Sequence, residues 1–134
     1  MAKKILIVDD DRDLVESLAQ VLKSRGYAVA SAFSGADGLK ALLVERPDLV
    51  ILDVMMETDT AGFEAADRIR SPRPSSRYAE FKDVPIIILT AIDQVTNSRF
   101  SLDPGDSFLP GVNEFLTKPV DLDGLLEKVR TLVS

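Results

Sequence analysis

Five side chains with chemical potential each stand at the end of an apolar run. Asp9 and Asp10 follow Ile5-Leu6-Ile7-Val8, and Asp53 follows Leu49-Val50-Ile51-Leu52. Thr90 follows Ile86-Ile87-Ile88-Leu89, and Lys118 closes Val112-Asn113-Glu114-Phe115-Leu116-Thr117. Brought to one place, these residues would crowd three carboxylates, one hydroxyl and one ammonium. Like charges at close range in a poorly solvated site are costly unless something neutralises them. A hard divalent cation does so, and carboxylate oxygens with water suit Mg²⁺. Without metal, at least one of the carboxylates is expected to have a raised pKa. Each residue also has a plain reading by itself. Asp53 could be a helix cap or turn residue, and Asp9-Asp10-Asp11 a charge run at a helix N-terminus. Thr90 could be an ordinary strand residue, and Lys118 a solvated surface charge.

The elements that must hold these residues can be read from periodicity. The runs ending at Val8, Leu52 and Leu89 are continuously apolar, as strands buried on both faces are. A weaker alternating run, Tyr27 to Ala32, and the run from Val112 to Thr117 complete five strands. Leu14, Val15, Leu18, Val21 and Leu22 recur at helical spacing, with Gly26 as a stop. Ser34 is placed to cap a helix carrying Leu39, Leu42 and Leu43, which Pro47 closes. Gly62 opens a short helix with Phe63, Ala66 and Ile69. Ser71 to Asp83 reads as a long surface loop. Ala91 to Pro110, interrupted by Pro104 and Pro110, has room for a short helix at most. Asp121 is placed to cap a last helix with Leu122, Leu125, Leu126, Val129 and Leu132. Strands alternating with helices imply a doubly wound α/β fold, a parallel sheet covered on both faces. Function in such sheets gathers at the carboxyl ends of the strands, where all five residues fall.

Composition removes several classes of function. The 134 residues contain no cysteine and no histidine. That excludes disulfides, thiolate zinc sites, thiol nucleophiles, and triads or metal centres built on His. The absence of cysteine suits a reducing, cytoplasmic setting. The net charge of -6, with dispersed Lys and Arg, speaks against direct nucleic-acid binding. No apolar stretch approaches the roughly 20 residues of a membrane span, so no membrane insertion is expected. The length suits one domain, residues 1-134.

Four segments, in order, carry a family resemblance: Ile5-Leu6-Ile7-Val8-Asp9-Asp10, Ile51-Leu52-Asp53-Val54-Met55-Met56, Ile88-Leu89-Thr90-Ala91 and Phe115-Leu116-Thr117-Lys118-Pro119. Together they resemble the receiver domain of two-component response regulators, of the stand-alone chemotaxis-regulator kind. The resemblance implies a flavodoxin-like five-stranded parallel sheet of order 2-1-3-4-5. It implies that Asp53 accepts a phosphoryl group from the phosphohistidine of a sensor histidine kinase or phosphotransfer protein. It implies that Asp9, Asp10, Asp53 and the Met55 backbone carbonyl hold Mg²⁺, and that Lys118 pairs with the phosphoryl oxygens. Thr90 and Phe115 match the switch pair, and the Lys118-Pro119 bond is expected to be cis. A protein of this kind is not a conventional enzyme. It catalyses its own phosphorylation and dephosphorylation and signals through a downstream protein, here unknown.

The chain departs from the family pattern in places. Glu57 stands where a Pro is usual, four residues after the acceptor, and Gly62 falls one residue late. The stretch between Thr90 and Lys118 is long and proline-interrupted, so the fourth helix of the family is expected to be short or irregular. Met55 and Ile92 flank the expected path of attacking water, and as apolar residues they are expected to slow loss of the phosphoryl group. Other classes fit less well. A phosphohydrolase of the haloacid-dehalogenase type wants a second acid two residues after the nucleophile, where Met55 stands. A flavodoxin wants Ser, Thr and Gly donors after the first strand, where Asp9-Asp10-Asp11 would repel a phosphate. The remaining alternative is a phosphorylation-independent interaction module that keeps the fold.

Overall fold

The computed structural model describes residues 2–91 and 113–133. Five parallel strands lie in the order β2-β1-β3-β4-β5. They are β1 (Lys4–Val8), β2 (Ala28–Ala32), β3 (Leu49–Asp53), β4 (Ile86–Ala91) and β5 (Glu114–Lys118). Four α-helices are present among the described residues: α1 (Arg12–Ser24), α2 (Gly35–Glu45), α3 (Ala61–Ile69) and α4 (Leu122–Val133).

Alternation along the central strands divides the core in two. Leu6, Val8, Val50, Leu52, Ile86 and Ile88 face one way and pack with Leu39 and Leu42 of α2 and Ala65, Ala66 and Ile69 of α3. Ile5, Ile7, Leu49, Ile51, Ile87 and Leu89 face the other way, onto Val15, Leu18 and Leu22 of α1 and Leu125 and Val129 of α4. Neither face of these strands meets water, which is why their sequence is continuously apolar. The interior therefore fixes strand register, and register fixes which residues end each strand at the functional edge.

Local signals account for the helix ends. Asp11 caps α1 by accepting from the Leu14 N–H at 3.1 Å. Ser34 caps α2 by accepting from the Asp37 N–H at 3.0 Å. Gly26 has φ +92°, a left-handed turn that glycine adopts without strain, just after α1.

Two segments differ from the sequence expectation. The stretch from Ser71 to Asp83 is not merely a surface loop. It contains a short 3₁₀ turn, Ala79–Phe81, whose Phe81 is buried with Val84 against the α2/α3 face of the sheet. The fifth strand runs from Glu114 to Lys118, so Lys118 is its last residue and not one that follows it. The expected short or irregular helix between Ala91 and Pro110, and Ile92, lie outside the described residues.

Candidate functional site

Asp9, Asp53 and Thr90 are the buried polar side chains among the described residues. All three lie at the carboxyl edge of the sheet. β1 delivers Asp9 just beyond Val8, β3 ends in Asp53, and β4 places Thr90 one residue before its end. The register pairs Asp53 with Leu89 and Ala91 with Lys118. Adjacent parallel strands thus bring the acids and the ammonium together across the middle of the sheet.

Carboxylate oxygens of Asp9, Asp10 and Asp53 all lie within 4.8 Å of one another. Lys118 Nζ sits between two of the acids, 3.0 Å from Asp9 Oδ2 and 3.2 Å from Asp53 Oδ1. Asp9 Oδ1 accepts the Asp11 N–H at 2.9 Å. Asp9 Oδ2 is fully buried and has no aligned hydrogen-bond donor; the nearby ammonium reaches it only as an ion pair. Leaving a buried carboxylate oxygen without a hydrogen bond is costly. One monovalent cation for three carboxylates leaves the cluster under-neutralised.

The ionisation of the cluster reflects this. Burial, then the Asp9 charge, pushes the Asp53 carboxyl up from 3.8 to about 6, and Lys118 only partly opposes the rise. The raised carboxylate expected from the sequence is therefore Asp53. For Lys118, burial favours the neutral amine, but Asp9 and Asp53 outweigh it and its pKa is raised. The donor set fits a hard divalent cation: oxygen ligands throughout, an excess of negative charge, and one buried oxygen lacking a donor. Mg²⁺ is the physiological ion such a set suits.

The other expected residues also lie near this edge. Met55 follows β3 by two residues, and its side chain is exposed. Ile88 and Phe115 are partners in the β4–β5 register, and both contact the α2/α3 core. Thr90 is two residues beyond Ile88, so Thr90 and Phe115 are diagonal neighbours on the same face of the sheet. The Lys118-Pro119 bond is cis.

Two features were not read from the sequence. The Glu57 carboxylate accepts the N–H of Gly35 at 2.6 Å and of Ala36 at 2.9 Å, across the gap to the start of α2. Partial burial works against its ionisation, but these two donors hold its pKa below the usual value. Gly62 lies in the first turn of α3, where an added Cβ would overlap the backbone of Asp53 and Val54. Its N–H donates to the Val54 carbonyl at 2.9 Å. The glycine one position later than the family pattern therefore seats α3 against the end of β3.

Residues 5–130 match the family model of the response regulator receiver domain. The chain belongs to that family. Among curated relatives of this receiver, response regulator MprA of Mycobacterium ulcerans (strain Agy99) is 37% identical over 133 residues, covering 99% of the chain and 51% of the relative. MprA of Mycolicibacterium vanbaalenii is 38% identical over the same length and share. The receiver thus spans about half the length of the curated relatives it matches. Among solved structures, the chemotaxis response regulator CheY4 of Vibrio cholerae superposes with a TM-score of 0.77 at 26% identity, covering 98% of this chain and 99% of that one. A CheY-like receiver domain protein of Methanospirillum hungatei superposes with a TM-score of 0.76 at 30% identity, over 99% and 94% of the two chains. The flavodoxin-like fold and the strand order expected from the sequence are those of this family.

Proposed function

We propose that this receiver is a phosphorylation-dependent switch whose acceptor is Asp53. The observation that carries the reading is the cluster at the carboxyl edge: three carboxylates within 4.8 Å of one another, with one ammonium reaching two of them. Asp9, Asp10 and Asp53, with the Met55 carbonyl, would hold Mg²⁺, which when bound neutralises charge on the transferring phosphoryl group. With its pKa near 6, Asp53 is ionised at neutral pH and available as a nucleophile. A carboxylate oxygen attacks phosphorus, the bond from phosphorus to the imidazole nitrogen of a phosphohistidine breaks, and that imidazole leaves with its electron pair. Lys118, already beside Asp53 Oδ1, pairs with the new phosphoryl oxygens. The donor is a sensor histidine kinase or phosphotransfer protein, and the receiver acts in the cytoplasm as one domain, residues 1-134.

The output follows from a new contact. A phosphoryl group on Asp53 adds acceptor oxygens within the same strand-end cluster as Thr90. The Thr90 hydroxyl, which donates to the Ala91 carbonyl at 3.4 Å, can turn to a phosphoryl oxygen only in the modified state, and a contact made in one state alone shifts a two-state equilibrium. Phe115, diagonal to Thr90, would reseat with it. To test this, the protein is phosphorylated with a small acyl phosphate in Mg²⁺ and the Thr90 and Phe115 amide resonances are followed. They should shift in wild type and stay fixed in Asp53→Asn. A phosphorylated wild type with unshifted resonances would favour the alternative, an interaction module independent of phosphorylation.

A further inference from the structure

We infer that Glu57 is a positioning residue for the candidate metal site, acting as a latch between the loop after β3 and the start of α2. The inference rests on the proposed Mg²⁺ site. The loop from Met55 to Thr60 carries the Met55 carbonyl. It is anchored at one end where the Val54 N–H donates to the Leu89 carbonyl at 3.1 Å. At the other end Gly62 holds it to Val54. Between these anchors the Met56 N–H donates to the Thr58 carbonyl at 3.1 Å, which bends the loop but ties it to nothing outside itself.

Thr58 Oγ1 donates to Glu64 of α3 at 3.4 Å and Met56 packs against the α2/α3 core, while Glu57 supplies the tie to α2. Both its carboxylate oxygens are used, on Gly35 and Ala36. Its partners are rigid: α2 is closely packed on β1, and a Cβ on Gly38 would stand 2.8 Å from Val8 Cγ1. A charge-assisted pair of bonds onto a fixed helix end holds the loop more firmly than a solvent-facing chain would. The carboxylate also takes two of the N–H groups that a helix start leaves unsatisfied. Met55 is two residues from this tie. Its carbonyl is therefore held in place before any metal arrives, and ligands fixed in advance bind metal more tightly.

The same helix start offers a control. Ser34 caps α2 from its own side by accepting the Asp37 N–H, a bond that involves no residue of the loop. Mg²⁺ alone is titrated calorimetrically into wild type, Glu57→Ala, Glu57→Gln, Ser34→Ala and Gly35→Pro, each first checked for a folded spectrum. Gly35→Pro removes the shorter latch donor while keeping the Glu57 charge. The preceding Ser34 is extended, at φ -151° and ψ 163°, as a residue before proline must be, and the added Cβ would stand 3.3 Å from both Glu57 carboxylate oxygens, which displaces the latch further.

Mg²⁺ affinity should fall about tenfold in Glu57→Ala and in Gly35→Pro, by analogy with lost outer-shell support. Glu57→Gln, which keeps one acceptor oxygen, should fall between Glu57→Ala and wild type. Ser34→Ala should bind as wild type does while losing helix stability. Unchanged affinity in Glu57→Ala overturns the latch. So does a loss in Glu57→Ala without one in Gly35→Pro, which would mean that Glu57 acts through its charge alone. An equal loss in Ser34→Ala would likewise overturn it, since affinity would then follow helix stability. A wild type that fails to bind Mg²⁺ contradicts the metal-site reading itself, and the latch with it.

Discussion

Asp53 is held in a form that favours its proton, and the consequence for stability has a definite sign. Its folded pKa of about 6 lies above the ordinary value of 3.8. The folded chain therefore binds this proton more tightly than the unfolded chain does. The linked stabilisation is complete below 3.8 and is lost as pH rises through about 6. Asp53→Asn has no charge to bury, and in it Lys118 keeps Asp9 as a partner. In metal-free buffer at pH 8 the variant should be more stable than wild type by about 1–2 kcal/mol, an advantage that disappears near pH 3.5. Urea unfolding at the two pH values measures this. By the same competition between proton and metal, Mg²⁺ binding should weaken as pH falls through about 6. A second residue-scale expectation concerns Met55, whose side chain is exposed two residues after Asp53, the proposed acceptor. Met55→Asn offers water a hydrogen-bonding group there, so the acyl phosphate should decay faster than in wild type. Timing the loss of bound phosphoryl group tests this, and an unchanged lifetime counts against a barrier to water.

At the scale of elements, how well each segment could be read depended on whether its signal was local. β1, β3 and β4 were legible because burial on both faces leaves an unbroken apolar run. Asp9, Asp53, Thr90 and Lys118 were legible together because parallel strands align their ends. The seating of α2 and of the loop after α3 was not legible. Glu57 and Gly35 are 22 residues apart, and no local pattern reports such a bond. Tyr78 and Phe81 are two aromatics in a stretch of polar residues and prolines, too few for periodicity to give them a face, although both pack on the core beneath α2 and α3. Phe81→Ala should cost about 3 kcal/mol by thermal or urea unfolding, as truncation of a buried aromatic does. Gly62 tests the join between α3 and β3. A Cβ there meets the Asp53 backbone and cannot be absorbed by a flexible side chain. Gly62→Ala should destabilise by about 1–3 kcal/mol and slow phosphorylation, because relief requires moving either α3 or the end of β3. A fully stable, fully reactive Gly62→Ala would mean that this join is looser than the packing implies.

At the scale of the whole molecule, an interior of uniform apolar packing carries its buried polar side chains, among the described residues, at one edge. The cluster there is a crowding of like charge that a bound divalent cation would neutralise. Mg²⁺ should therefore raise the thermal midpoint, with a gain that grows with metal concentration and is lost in Asp9→Asn. The receiver matches about half the length of its MprA relatives, and what those proteins do as wholes is not carried by this fold alone. The acceptor chemistry proposed for Asp53 draws on residues inside it. The most direct measurement is the intact mass of the protein after incubation with Mg²⁺ and a small acyl phosphate or phosphoramidate, in wild type and in Asp53→Asn. Wild type should gain one phosphoryl group that depends on Mg²⁺, and Asp53→Asn should gain none. A wild type that stays unmodified under all conditions, or an adduct that persists in Asp53→Asn, would contradict Asp53 as the acceptor.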